Sequence, residues 1–235
     1  MKNKTLFIAL VFLLLSNTKI FAENFTFEAV EIQISGDGNI IKAADGTAFS
    51  KVDDIEIKAE KFEYNKKNLT LGATNGLAKI SNKNIQIKAN NFLYDENLSE
   101  LTAIGNVEVR DIVNKLLIKS EKIFFDSKVG IVKFDNAELT DVEKNITTIK
   151  KAYLNLNTNQ ILGKDFSSSF NNNSFNTDNN PRLKGNTFTS NGDTSIISKG
   201  VFTTCKKNDT CPPWQISAKE IRHDKKKKIL YYDDA

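Results

Sequence analysis

The sequence predicts an all-β chain, an elongated stack of antiparallel strands built on a repeat of about 31 residues. Three observations predict it. A four-residue phrase recurs as Ile57-Lys58-Ala59-Glu60, Ile87-Lys88-Ala89-Asn90, Ile118-Lys119-Ser120-Glu121 and Ile149-Lys150-Lys151-Ala152, its isoleucines 30, 31 and 31 residues apart. Around the phrase, apolar and polar residues alternate: Ile85, Ile87 and Ala89 against Gln86 and Lys88, and Val107 and Val109 against Glu108 and Arg110. Period-2 alternation is the signature of half-buried strands, and a wet outer face is what antiparallel sheets tolerate. Corner residues then recur in register. A period of this size marks units that bury their apolar faces only by stacking on one another.

Residues 1–22 stand outside the repeat. Lys2 and Lys4 precede the apolar run Leu6 to Leu15, and the stretch closes on Ile20-Phe21-Ala22. That order is a secretory signal cleaved after Ala22, and its apolar run is too short to span a membrane. Residues 23–235 then read as one exported domain. An irregular opening unit covers 25–50, with a strand start at Phe27-Glu28-Ala29, a turn at Gly36-Asp37-Gly38 and a second start at Ile40-Ile41-Lys42-Ala43. Units follow from about 55, 85, 116 and 147. Seven residues after each isoleucine stands Tyr64, Tyr94, Phe125 or Leu156, and the next position is Asn65, Asp95, Asp126 or Asn157. These predict Asx turns. A second set of corners, Asn75-Gly76-Leu77, Gly105-Asn106-Val107 and Asp135-Asn136-Ala137, predicts a second turn per unit,.

The pattern breaks at Asp165–Pro181, a Ser- and Asn-rich tract holding Phe166, Phe170 and Phe175. It reads as a surface loop whose phenylalanines pin it to the sheet or touch a partner. Periodicity resumes at Ile216-Ser217-Ala218-Lys219, with His223 in the aromatic slot and Asp224 after it. Lys225-Lys226-Lys227-Lys228, set before Ile229-Leu230-Tyr231-Tyr232, reads as a solvated hairpin turn.

Charge and composition exclude several uses. The net charge of +4 includes Lys2, Lys4 and Lys19, so the domain carries about +1 and offers no basis for nucleic-acid binding,. One histidine and two cysteines cannot assemble a zinc-type cluster,. In an exported chain Cys205 and Cys211 favour disulfides, with each other or with partners outside these residues. Catalysis finds no support: there is no Gly-x-Ser-x-Gly elbow, Gly36-Asp37-Gly38 lacks the remainder of a phosphate cradle, and the pairs Asp53-Asp54 and Asp233-Asp234 point to opposite faces if they lie in strands,. What remains is a continuous apolar stripe. Ile55, Ile57, Ala59, Ile85, Ile87, Ala89, Leu116, Ile118 and Ser120 stack from unit to unit, and alternation alone leaves open whether they fill a closed core or line a splayed groove,.

The unit seen at Ile87–Val109 resembles the OstA-like repeat of lipopolysaccharide-transport proteins, the periplasmic β-jellyroll shared by LptA, LptC and the amino-terminal part of LptD. The segments Gly200–Cys205, Pro212-Pro213-Trp214-Gln215-Ile216-Ser217-Ala218 and Ile229–Ala235 are similar to the end of the LptD jellyroll, which in that family leads into an outer-membrane barrel. The resemblance implies a non-enzymatic, cofactor-free role: receiving lipid A acyl chains from an LptA-like bridge joined by edge-strand addition, and passing them to the barrel and its LptE-like lipoprotein. It implies a lipid groove lined by Ile55, Ile57, Ile85, Ile87, Leu116 and Ile118. It further implies that Cys205 and Cys211 bridge to barrel cysteines, which the 235 residues do not contain. Two other readings stay open, a free-standing LptA-like bridge and a secreted β-solenoid adhesin or carbohydrate-active enzyme.

Overall fold

A computed structural model describes residues 25–171, 179–206 and 214–235. The signal segment, Phe175 and Cys211 lie outside these residues. Fourteen strands follow one another in chain order: β1 (Phe25–Ser35), β2 (Ile40–Ser50), β3 (Ile55–Asn65), β4 (Thr70–Ile80), β5 (Ile85–Asp95), β6 (Glu100–Asp111) and β7 (Leu116–Asp126). Then come β8 (Ile131–Thr140), β9 (Ile146–Asn155), β10 (Gln160–Ser169), β11 (Arg182–Ser190), β12 (Thr194–Thr203), β13 (Ile216–Asp224) and β14 (Ile229–Asp233). Each pairs antiparallel with the next, so the sheet order is the sequence order. The all-β expectation holds, and each repeat is two strands of about eleven residues with a hairpin at either end,.

The Asx corners form as expected at three of four positions. The Oδ1 atoms of Asn65, Asp95 and Asp126 each accept backbone N–H groups two and three residues on, at 2.9–3.2 Å. In the fourth unit the cap is Asn155, two residues before the expected Asn157. The Ile149 phrase has therefore slipped by two residues: Thr147, not Ile149, stands in the rung that Ile57, Ile87 and Ile118 occupy. Ile216 returns to phase, since Ala218 faces Gly200 and His223 faces Ser195 and Leu230.

The second set of corners is not a set of turns. Asn75, Asn106 and Asn136 lie inside β4, β6 and β8 and take left-handed φ of 51°, 49° and 53°, as Asp45, Asp165 and Lys199 do in β2, β10 and β12. A left-handed residue in each even strand from β2 to β12, joined in β6 by Gly105, bends the strand and does not reverse it,. At that line the inward parity flips: in β3 residues 55, 57 and 59 are buried, Glu60 and Lys61 both face water, and 62 and 64 are buried. The same flip recurs in β5. A Cβ at Gly76, on this crease, would stand 2.7 Å from the Lys58 carbonyl oxygen and 2.9 Å from Ala59 Cβ. The whole sheet thus folds along a mid-strand crease into two layers. Two further expectations change. β10 runs on to Ser169, so the Ser/Asn-rich tract begins as strand, with Phe166 buried and stacked on Phe188 at 5.1 Å. Asp53 and Asp54 sit in the β2–β3 turn, where Asp54 accepts the Asn82 N–H at 2.9 Å.

Candidate functional site

Folding along the crease brings two rows of hairpin turns face to face. One row follows β2, β4, β6 and β8; the other follows β3, β5, β7, β9, β11 and β13. The strand ladders run only between sequence neighbours, and the contacts observed across this seam are between side chains. Ser127 Oγ donates to Asp53 Oδ1 at 2.6 Å, and the Tyr94 hydroxyl donates to the other oxygen of the same carboxylate. Lys83 Nζ reaches Asn157 Oδ1 at 2.8 Å, Lys228 pairs with Glu143 at 3.6 Å, and Phe170 meets His223 edge-on at 5.8 Å. Burial, and then the Asp53 carboxylate, hold the Tyr94 hydroxyl far above its ordinary pKa, so it remains a donor,. Sequence reasoning missed this clasp because it weighed Asp53 only as one of an adjacent strand pair, and its partners lie 41 and 74 residues away.

The interior differs from one end to the other. One rung passes through Ile57, Ala78, Ile87, Val109, Ile118 and Leu139, all buried. The facing layer carries Tyr64, Leu71, Tyr94, Leu101, Phe125 and Val132. Beyond β8 the first rung runs through Thr147 and Ser168, hydroxyls 2.9 Å apart, to Leu183 and Phe202, and the second through Leu154 and Ile161 to Ser190, Ser195 and His223. Polar side chains now alternate with large apolar ones in these rungs, and the layers leave a cavity of about 440 Å³ between them. That size suits a ligand pocket. Phe166, Leu183, Phe188 and Ile197 make its apolar wall, and Asp141, Glu143, Asp193, His223, Lys225 and Lys228 ring the seam side.

Of the six candidate groove residues, Ile55, Ile57, Ile85, Ile87 and Ile118 are 0–2% exposed and sealed in the core; Leu116 alone lines the cavity. The four-lysine segment is an exposed hairpin turn, as expected, and three of its lysines are paired. Lys226 pairs with Asp193 at 2.7 Å, Lys227 with Asp224 at 3.9 Å and Lys228 with Glu143. Among the described residues Lys225 makes no ion pair; the residue is exposed, but its Nζ donates to the buried Ser190 Oγ at 3.1 Å, itself bonded to Ser195 Oγ at 3.1 Å. Burial is the main cause depressing the pKa of both Lys225 and His223, and the Lys225 charge adds to the effect on His223,. Among the described residues no cluster of His, Cys, Asp or Glu is placed to hold a metal ion.

At the carboxyl end Cys205 is half-buried and in no disulfide among the described residues, its Sγ 3.5 Å from the Trp214 carbonyl oxygen. Thr203 Oγ1 donates to that carbonyl at 2.7 Å, docking the Trp-Gln-Ile segment beside Phe202. At the amino end β1 is an edge strand with no proline or lysine to blunt it,. Its second half is uncovered: Val30 is 87% exposed and Ile34 64%.

No protein-family model matches the chain, and no curated protein matches its sequence. Among solved structures it is similar to the crystal structure of LptH, the LptA homologous periplasmic component of the conserved lipopolysaccharide transport device from Pseudomonas aeruginosa. The identity is 16% and the TM-score 0.40, over 47% of this chain and 81% of that one. At those values the likeness carries no weight for what this chain binds.

Proposed function

We propose that the chain is an exported periplasmic β-jellyroll that carries lipopolysaccharide, sheltering lipid A acyl chains between its layers while the sugars stay outside. One observation carries this reading: the two rows of turns that close a largely apolar interior meet through side-chain contacts, so they can part without breaking a backbone ladder. The sealed stripe of Ile57, Ile87 and Ile118 would then be the track exposed on parting. A photocrosslinking amino acid at Ile87, Ile118 or Leu116 is expected to capture lipopolysaccharide in cells, and the same group at exposed Lys88 or Lys119 is not. Equal capture at interior and exposed positions, or none, overturns the proposal.

Two placements fit the ends of the sheet. In the LptD-like placement the Cys205–Trp214 segment leads to a barrel at the outer membrane, with Cys205 and Cys211 bridged to it and an LptE-like lipoprotein beside it. Peptide mapping under non-reducing conditions in cells tests this; free thiols at both positions exclude it. In the LptA-like placement the chain is a bridge, and the long unblunted edge of β1 favours strand addition,. Proline at Ile32 is expected to abolish pairing with a partner strand while the chain itself stays folded.

A further inference from the structure

The four-lysine turn carries a feature that surface solubility does not explain. Three of its lysines face outward and pair with acids, which also neutralises Asp193 and Glu143 at the cavity rim. Asp141 is occupied by its own turn, accepting the Glu143 and Asn145 N–H groups at 2.9 Å each and the Asn145 side-chain amide at 2.9 Å. Lys225 and Lys228 both line the cavity, but Lys228 is paired with Glu143, whereas the Lys225 Nζ bonds a neutral hydroxyl, that of Ser190. Asp141, Asp193 and Glu143 act on the Lys225 charge through space but none is bonded to it among the described residues, so an anion that reaches its Nζ gains a charged hydrogen bond,. Beyond it Phe166, Leu183, Phe188 and Ile197 form an apolar wall to a cavity of about 440 Å³, room for a hydrocarbon chain,.

We infer that Lys225 anchors the anionic head, a phosphate or a carboxylate, of an amphiphile whose acyl chain fills the cavity walled by Phe166, Leu183, Phe188 and Ile197. The inference deepens the proposed function and rests on its premise that the interior takes acyl chains; it adds where the chain is held and by which group. Ser190 and Ser195 are placed to bond the remaining head-group oxygens. The hydroxyl pair Thr147 and Ser168 leaves the space that a larger apolar pair in that rung would fill.

Calorimetric titration of the full chain with dodecyl phosphate, dodecanoate and neutral dodecyl maltoside, each as monomer, tests it. Both anionic probes are expected to bind more tightly than the maltoside, the tighter of the two naming the head group. Lys225→Met should weaken both about tenfold, the scale of one charged hydrogen bond, and leave the maltoside unchanged, and Lys225→Arg should restore them. Ser168→Leu, which fills the cavity, should abolish binding of all three while the circular dichroism and urea midpoint stay at or above wild type. Equal affinities for Lys225→Met and wild type overturn the anchor, and a folded wild type that binds neither anionic probe overturns the site. In that second case capture of lipopolysaccharide at Ile87 would still stand for the transport reading; binding here without capture there would mean that the site is real and the transport reading is not.

Discussion

The first eight strands and the five that follow share one ladder, one crease and one alternation of faces, yet the inner rungs are filled in one half and leave a cavity in the other. The first half's own hollow, about 650 Å³ beside Lys42, Lys61 and Phe92, is lined by residues of neither inner rung. Between β3 and β8 the two inner rungs pair isoleucines with tyrosine, phenylalanine and leucine, and every one of these side chains is buried. Between β9 and β13 the same rungs set Thr147, Ser168, Ser190, Ser195 and His223 among Leu154, Ile161, Leu183 and Phe202, and the layers stand over a cavity. Backbone pairing therefore sets the distance between strands, whereas side-chain volume at two rungs sets whether the layers touch. A slip of two residues at Ile149 is enough to convert a core position into a cavity position, because period-2 strands keep face when they slip by two.

This contrast can be broken most severely in the filled half. Ile87→Ala is expected to lower unfolding free energy by about 2–5 kcal/mol, and Leu116→Ala, at the cavity wall, by clearly less; paired urea titrations measure both. Next comes the seam. Asp53→Ala leaves the buried Tyr94 hydroxyl without its acceptor and should reduce stability by about 1–3 kcal/mol, an effect that Tyr94→Phe made on top of it should largely relieve. In the opposite direction, Thr147→Ile combined with Ser168→Val restores the apolar rung and should raise stability by about 0.5–2 kcal/mol; no gain would mean that the cavity is not set by those two side chains.

The smallest effect is one of pH. His223 has its folded pKa depressed by burial and by Lys225, so its neutral form is the one the fold favours. Its contribution is complete above the ordinary histidine value and is lost as pH falls through the depressed folded value. Wild type should therefore lose more stability than His223→Phe between pH 7.5 and pH 5, read as the difference between their urea midpoints at each pH.

Strand identity and inward face were readable from Ile57, Ile87 and Ile118 because alternation reports face directly. The Asx corners at Asn65, Asp95 and Asp126 were readable because a carboxylate or amide at the end of an apolar run has one local use. Asn75, Asn106 and Asn136 misled, since a left-handed residue that creases a strand and one that reverses a chain leave the same mark in sequence. Phe166 was read as loop because serines flank it, although its burial against Phe188 makes β10 pay its way as strand. The cavity was unreadable for a different reason. It depends on which residues of non-neighbouring strands face one another across the fold, and the seam that decides this joins Asp53 to Ser127 and Lys83 to Asn157.

Both of those links span 74 residues. Every ladder contact in the sheet, by contrast, joins strands adjacent in sequence. Folding is thereby divided into two kinds of event, quick local zipping of hairpins and a late closure of high contact order. As the chain is made from its amino end, Asp53 waits for Ser127 and Lys83 for Asn157. Through that interval the isoleucine stripe lies open on a one-layered sheet with unpaired edges, the condition in which strands aggregate. The same loose side that would let a cargo in is thus the last part of the molecule to shut.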